Sequence, residues 1–507
     1  MDKEVPPPPA APADKALREA HLAAVATLRK AAARGDGATV VGLSRQLDPM
    51  KVGPGIVAAV VSAALLEGRE RDVAHATGFA IAAQILPRLR VTIAWQLTNS
   101  GHVLEGLAVL MADSATLAPV PGDDGASLPV LLRMLQRAAH TATVPPPLRA
   151  ATAALARRML GAADRKPEPT AIPFGPPGPR APLAGPPTII RAAPGLPAPV
   201  AEEAARAMAA FEAKAAEIAR PEVSVLRNVF VDRRGLVWDR DGRPVMTYQQ
   251  PVPPAGLAAM AAAPSVKAAV LAVEPHGNLY HWFAEWLPSL AWRLNDAAGT
   301  LPILLSDRAP VFVEESLDLA DAGAAPRIAV GDALFVEELF VGGRNLSFLV
   351  HGAAYGGLLE RIAARAEAMA DPAMAGGPVY VSRRDSPKRP MGEEAALEAA
   401  LVERGFDCLL FAQMTLADKI ARLRRAPRVV APHGAGLALL LAARPGTQVV
   451  EVIPATRAAI TLRSCFAMIS RIVGHRHVMW LERPELVGAA WAVDVPGVLA
   501  EIDAAGG

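Results

Sequence analysis

Arg428-Val-Val-Ala-Pro-His433-Gly434-Ala435-Gly436-Leu437 carries a buried strand into a tight turn with two glycines and on into an apolar helix. Upstream of it, Val379–Arg383 reads as a strand. Glu393–Arg404 reads as a helix with acids first, Arg404 late and Gly405 as its stop, and Asp407–Phe411 as a second strand. A further helix starts at Thr415, whose hydroxyl can cap it with Asp418 three residues on. After the strand Arg428–Ala431 come a helix over Ala435–Ala443 and a strand over Gln448–Ile453. This β-α-β-α-β-α-β order predicts a doubly wound parallel sheet, and such sheets bind ligands at the carboxyl ends of their strands.

The mixed grammar extends back to Pro221. Val223–Val231, Leu236–Asp239 and Arg243–Thr247 form short strands around turn-rich junctions, the second with an Asp-Gly hairpin signal. Val266–Val273, a helix from about Leu279, Ile303–Leu305, Arg327–Val330 and a long helix near Tyr355–Met369 follow. Before them a polar-faced helix spans roughly Ala201–Arg220. Lys166–Pro199 holds twelve prolines in thirty-four positions, which favours extended, unpaired backbone and marks a linker. The expected domains are a disordered tail (1–14), an all-helical domain (15–163), the proline-rich linker (164–200), one α/β lobe (201–377) and a second with C-terminal helices (378–507). Stripes such as Leu17, His21, Val25 and Leu28 point to stacked helical hairpins in 15–163, without a fixed repeat period.

Composition limits the partners. The 507 residues carry 52 Lys and Arg against 50 Asp and Glu, a net charge of +2, which argues against nucleic acid as the main partner. Mean hydropathy is +0.25. The longest uncharged aliphatic run, Val52–Leu66, is nevertheless short of the roughly 20 residues of a spanning helix and is interrupted by Pro54 and Gly55. The start Met1-Asp2-Lys3-Glu4-Val5-Pro6 has neither the basic end nor the apolar core of a secretory signal. Cys408 and Cys465 are too few for a disulfide framework. The expectation is a cytoplasmic protein with no transmembrane segment, peripheral contact with the inner face of a membrane being left open.

Four places carry chemistry. At His433 the glycines let backbone approach a ligand and the helix start offers N–H groups to a diphosphate, with Gly434, Ala435 and Gly436 as the cradle. The alternative is a glycine-rich turn with a satisfied histidine. Ser382-Arg383-Arg384 closes the Val379 strand, with Lys388 and Arg389 behind; an arginine there can grip a phosphate, or the run is a solvated cluster. Asn278 caps a helix on which His281 and Glu285 share a face, a pairing that suits a general base or a simple helix contact. Glu451 reads as an acid at the end of a buried strand, to meet sugar hydroxyls or pair with an arginine. Asp239-Arg240-Asp241 reads as a turn, and His475 with His477 lacks further ligands, so no metal site is expected.

Taken together, Asn278, His281, Trp282, Leu287 and Pro288, then Ser382, Arg383 and Arg389, then His433 to Leu437, then Glu451 resemble glycosyltransferase family 61. That family shows an Asn-x-x-His-Trp helix ending in Leu-Pro, a strand ending in Ser-Arg with further arginines, His-Gly-Ala-Gly-Leu, and a strand with a glutamate. The resemblance covers roughly Val223 to His477. It departs at Gly392-Glu393, where Asn-Glu is usual, at Lys419, where a glutamine is usual, and near Leu439, where an asparagine is expected.

The resemblance implies a GT-B pair of Rossmann-like lobes behind the helical domain, and inverting transfer from a nucleotide-sugar donor to a glycan acceptor of a cell-surface or capsular polysaccharide. It implies neither cofactor nor bound metal. Donor contacts fall to Arg383, Arg384, Arg389, His433, Gly434, Ala435, Gly436 and Glu451, with Asn278 and Ser382 in support. His281, oriented by Glu285, is the expected base, and His433 the alternative one. The competing expectation is a non-catalytic nucleotide-sugar-binding assembly factor, whose helical domain engages a protein partner.

Overall fold

The computed structural model describes residues 12–83, 85–112, 127–140, 144–160, 166–178, 183–246, 252–295, 300–320, 326–372, 374, 376–386, 390–455, 457–484 and 490–505. The chain is mixed α/β and forms two compact units. One holds the described residues as far as Val130 together with 457–459, 483–484 and 490–492; the other holds the remaining described residues and both sheets, so one division falls inside the helix Ser127–His140.

The first unit is helical: Pro12–Ala33, Gly37–Ser44, Pro54–Glu67, Glu70–Ala82, Pro87–Asn99 and Val103–Met111. The first of these helices begins within the expected tail; Met1–Ala11 lie outside the described residues. Its punctuation is local. Asp36 accepts from Thr39 N at 3.1 Å, and Gly68 stops a helix at φ 70°. Arg90 is buried and donates to the carbonyls of Ala83 and Val109, at the carboxyl ends of two helices whose dipoles favour a cation. No helix among the described residues is long and apolar enough to cross a membrane.

The second unit has fourteen described strands. They are β1 Glu168–Pro169, β2 Ile189–Ala192, β3 Val223–Val231, β4 Val237–Trp238, β5 Pro244–Met246, β6 Ser265–Leu271, β7 Ile303–Ser306, β8 Arg327–Val330, β9 Leu334–Gly342, β10 Val379–Ser382, β11 Asp407–Leu410, β12 Arg428–Pro432, β13 Gln448–Pro454 and β14 Arg476–Glu482. The first sheet runs β5-β4-β3-β9-β6-β7-β8, with β1 on β3; β3 and β9 are antiparallel, and β9, β6, β7 and β8 are parallel. The second sheet, β11-β10-β12-β13-β14-β2, is parallel throughout. Numbered from β10, its first five strands stand in the order 2-1-3-4-5. The order therefore reverses between β10 and β12, and that crevice is where such sheets receive ligands. A shared core joins the two sheets, with Trp282 and Trp286 buried in the same cluster as Val429, Leu437 and Leu440.

Three expectations change. Within Lys166–Pro199 the backbone is not unpaired: β1 joins the first sheet and β2 the edge of the second, Ile189 opposite Val478 and Ile190 opposite Met479. A proline-free run of four residues that opens on two β-branched isoleucines suffices for one more strand. Ala435–Ala442 is a 3₁₀ helix. Finally, β9 was not anticipated, although it lies between β3 and β6.

Candidate active site

The His281 segment is held from both sides. Glu274 is buried and accepts from His276 N at 2.8 Å and Asn278 N at 3.1 Å; burial pushes its carboxyl up. Asn278 caps the helix by accepting from Tyr280 N at 2.8 Å. The turn Trp282–Trp286 is a π-helix, with Leu287 N reaching back to the Trp282 carbonyl. Pro288 explains it: lacking an N–H and crowding the carbonyl four residues back, proline forces the ladder to widen. Trp282, Phe283 and Trp286 face the core, and Trp282 Nε1 donates to Ser316 Oγ at 2.7 Å. His281 and Glu285 face out, each about one-third exposed, with Nδ1 and Oε2 3.1 Å apart. His276 lies against His281 at 4.8 Å between ring centroids; burial, and then the His281 ring, push His276 below the ordinary histidine range.

The second sheet supplies the opposite group. Glu394 is buried at the end of β10, where Oε1 accepts from Tyr380 Oη at 3.1 Å, Ser382 Oγ at 3.2 Å and Arg383 N at 2.6 Å. This fixes where Arg383 leaves the strand. Its guanidinium crosses the switch point, Nη1 donating to the His433 carbonyl at 3.1 Å and Nη2 to Ser386 Oγ at 3.0 Å. Arg384 turns the other way, its Nε donating to Glu398 at 2.9 Å, so the basic pair divides. Arg389 lies outside the described residues.

The glycines of the turn serve packing. A Cβ on Gly434 would collide with the Arg383 guanidinium, and one on Gly436 would stand 2.9 Å from the Phe411 ring. Gly434 itself is extended, at φ −171°.

Glu451 does not end its strand. β13 continues to Pro454, and Glu451 is wholly buried, with Oε1 2.5 Å from His433 Nδ1 and Oε2 3.1 Å from His477 Nε2. The carboxylate meets two histidines inside the protein, not the arginine read as its alternative partner. His477 and His475, discounted as metal ligands, both approach Ser470 Oγ, at 2.8 and 3.3 Å.

Phe466 links the two sides. Tyr280 packs edge-on against its ring at 5.6 Å and His433 at 5.1 Å, so the neighbour of His281 and the turn of the second sheet share one aromatic contact. Neither Phe466 nor Glu394 was singled out in the sequence. At the departures from the family pattern, Glu393 accepts from Val493 N at 2.9 Å and Leu439 is buried core. Burial pushes the Lys419 ammonium down, against the influence of Glu315 and Asp385.

An arginine and a carboxylate-backed histidine thus meet at the switch point of the parallel sheet. Residues 279–450 match the family model described as Glycosyltransferase 61. That segment, about a third of the chain, is a glycosyltransferase domain and belongs to glycosyltransferase family 61. No curated protein matches the chain.

Proposed function

We propose that the protein is an inverting glycosyltransferase of GT-B architecture. It moves a sugar from a nucleotide-sugar donor to a hydroxyl of a glycan acceptor in cell-surface or capsular polysaccharide synthesis. The lobe from Pro378 takes the donor and the preceding lobe presents the acceptor. His281, oriented by Glu285, accepts the proton of the acceptor hydroxyl as its oxygen attacks the anomeric carbon. The bond from that carbon to the diphosphate oxygen breaks, and its electron pair leaves with the nucleoside diphosphate. Arg383, the exposed part of Arg384 and the backbone from Gly434 through Ala435 to Gly436 offset the departing charge, a role otherwise filled by a metal ion. The helical unit serves a protein partner.

The observation that carries this reading is the bond from Arg383 to the His433 carbonyl, because it puts a cation and a histidine at the one crevice the strand order selects. The test is release of nucleotide from a panel of nucleotide sugars, with and without acceptor glycans and with and without chelator. Acceptor-dependent release that survives chelation is the expected result. Binding of a nucleotide sugar with no turnover on any acceptor would replace the enzyme by a binding factor.

A further inference from the structure

Behind the His433 turn lies a buried polar chain with no part in the steps above. Glu451 on β13 is fully shielded, as are Ser470 and His475, and His477 on β14 is nearly so. From the crevice inward the contacts are His433 Nδ1 to Glu451 Oε1 at 2.5 Å, Glu451 Oε2 to His477 Nε2 at 3.1 Å, and His477 Nδ1 to Ser470 Oγ at 2.8 Å. A carboxylate only accepts, so His433 Nδ1 and His477 Nε2 both donate to it, and the second ring nitrogen of a neutral His477 accepts from the Ser470 hydroxyl. Burial holds His477 neutral, pushing its ring down to about 3. His475, pushed down to about 4 by the same cause, is neutral beside Ser470.

A buried carboxylate is costly unless a positive partner is hydrogen-bonded to it. Among the described residues, groups that face this one include His433 from the turn, His477 from β14, and the Cys465 thiol, which burial pushes well up. Beyond them are Tyr280, whose phenol burial also raises, and Arg383, which is committed to the His433 carbonyl. His433 is the titratable partner that reaches the crevice, its side chain 11% exposed.

We propose that Glu451 holds His433 as an imidazolium whose Nε2–H meets the leaving diphosphate, and that His477 is the positioning residue that fixes the second carboxylate oxygen. This rests on the glycosyltransferase reading. As the anomeric carbon–oxygen bond breaks, the leaving oxygen accepts a hydrogen bond from Nε2 and the imidazolium offsets one of its charges. No proton has to be transferred.

The experiment records ring-nitrogen signals of ¹⁵N-histidine-labelled full-length protein at pH 7.5, with His433 assigned from His433→Asn. In parallel, inorganic diphosphate binding is measured by calorimetry. Wild type carries both ring protons on His433. His477→Gln, whose amide replaces the Nε2 donor, keeps the charge and the affinity. His477→Leu leaves the carboxylate short of a donor; Glu451 takes up the proton, His433 becomes neutral, and diphosphate binding weakens about tenfold. Glu451→Gln gives the same loss of charge. A merely structural His477 would lower thermal stability in both of its variants and leave the His433 ring unchanged. A neutral His433 in wild type, or a charged one in His477→Leu, would overturn the proposal. Absence of sugar transfer from every donor would overturn the glycosyltransferase reading, while the ring-charge measurement would still decide this one.

Discussion

Arg383 occupies the space of the side chain that Gly434 lacks: its guanidinium lies over the Gly434 Cα and donates to the preceding carbonyl, that of His433. The glycine and the arginine are one device, and they should fail together. Gly434→Ala meets the far end of a flexible side chain, so the fold should survive with a thermal midpoint close to wild type. The displaced guanidinium should raise the donor KM about tenfold or more. In an Arg383→Ala background the same glycine change should add little, since contacting residues are non-additive. Full additivity in that double-mutant cycle would separate the two residues.

His281 should behave as a base that leaves the fold alone, because its side chain is about one-third exposed. His281→Ala should lower kcat by roughly 10²- to 10⁴-fold with an unchanged circular dichroism spectrum. Glu285→Gln, which keeps the hydrogen-bond geometry and removes the charge, should cost less. Full transfer activity in well-folded His281→Ala would remove His281 from the mechanism.

Glu482 ends β14 in a buried site, accepting from Trp480 Nε1 at 2.6 Å and Asp494 N at 2.8 Å, and burial pushes its carboxyl up to about 7. The folded chain then holds this proton more tightly than the unfolded chain, whose carboxyl titrates near 4.5. Its contribution to stability declines as pH rises from about 4.5 to about 7 and is level above that. His475 and His477, pushed down by burial, act oppositely and lose stability as pH falls below about 6.5. Glu482→Gln should therefore gain on wild type as pH rises across this window, by of the order of 1–3 kcal/mol. Urea unfolding at pH 5 and pH 8 measures it, and a difference independent of pH would refute the assignment.

β2 should matter to the second sheet although it comes from the proline-rich segment. Ile189→Pro removes an N–H that points at β14, as the alternation from Ala193 N donating to the Leu481 carbonyl requires, and should destabilise the protein by about 1–3 kcal/mol in chemical denaturation. A surface substitution at Arg191 should stay within about 0.5 kcal/mol.

The parts that were legible in the sequence are those decided by neighbours along the chain. β3 and β8 occupy the expected spans, and Thr415 caps its helix with Asp418 as read. The His281–Glu285 pair follows from their i, i+4 spacing. What was missed depends on register or helix phase. Glu337 and Glu338 interrupt the alternation of β9, whose identity as a strand is secured by pairing with β3 and β6. Glu394, and not the adjacent Glu393, binds the end of β10, because one step along a helix turns a side chain by about 100°. The Glu451–His433 contact needs β12 and β13 side by side, which spacing alone does not supply.

The pairing of Ile189 with Val478 spans 478 − 189 = 289 residues. At roughly 5–20 residues per second, β2 leaves the ribosome about 15–60 s before the strand it will join exists. An Ile-Ile strand waiting that long invites association with other nascent chains. Pro186 and Pro187 before it and Pro194 after it cannot extend a ladder of backbone bonds, and Arg191 adds a charge. The prolines around β2 thus limit how far that strand can be extended by another chain before its partner is made.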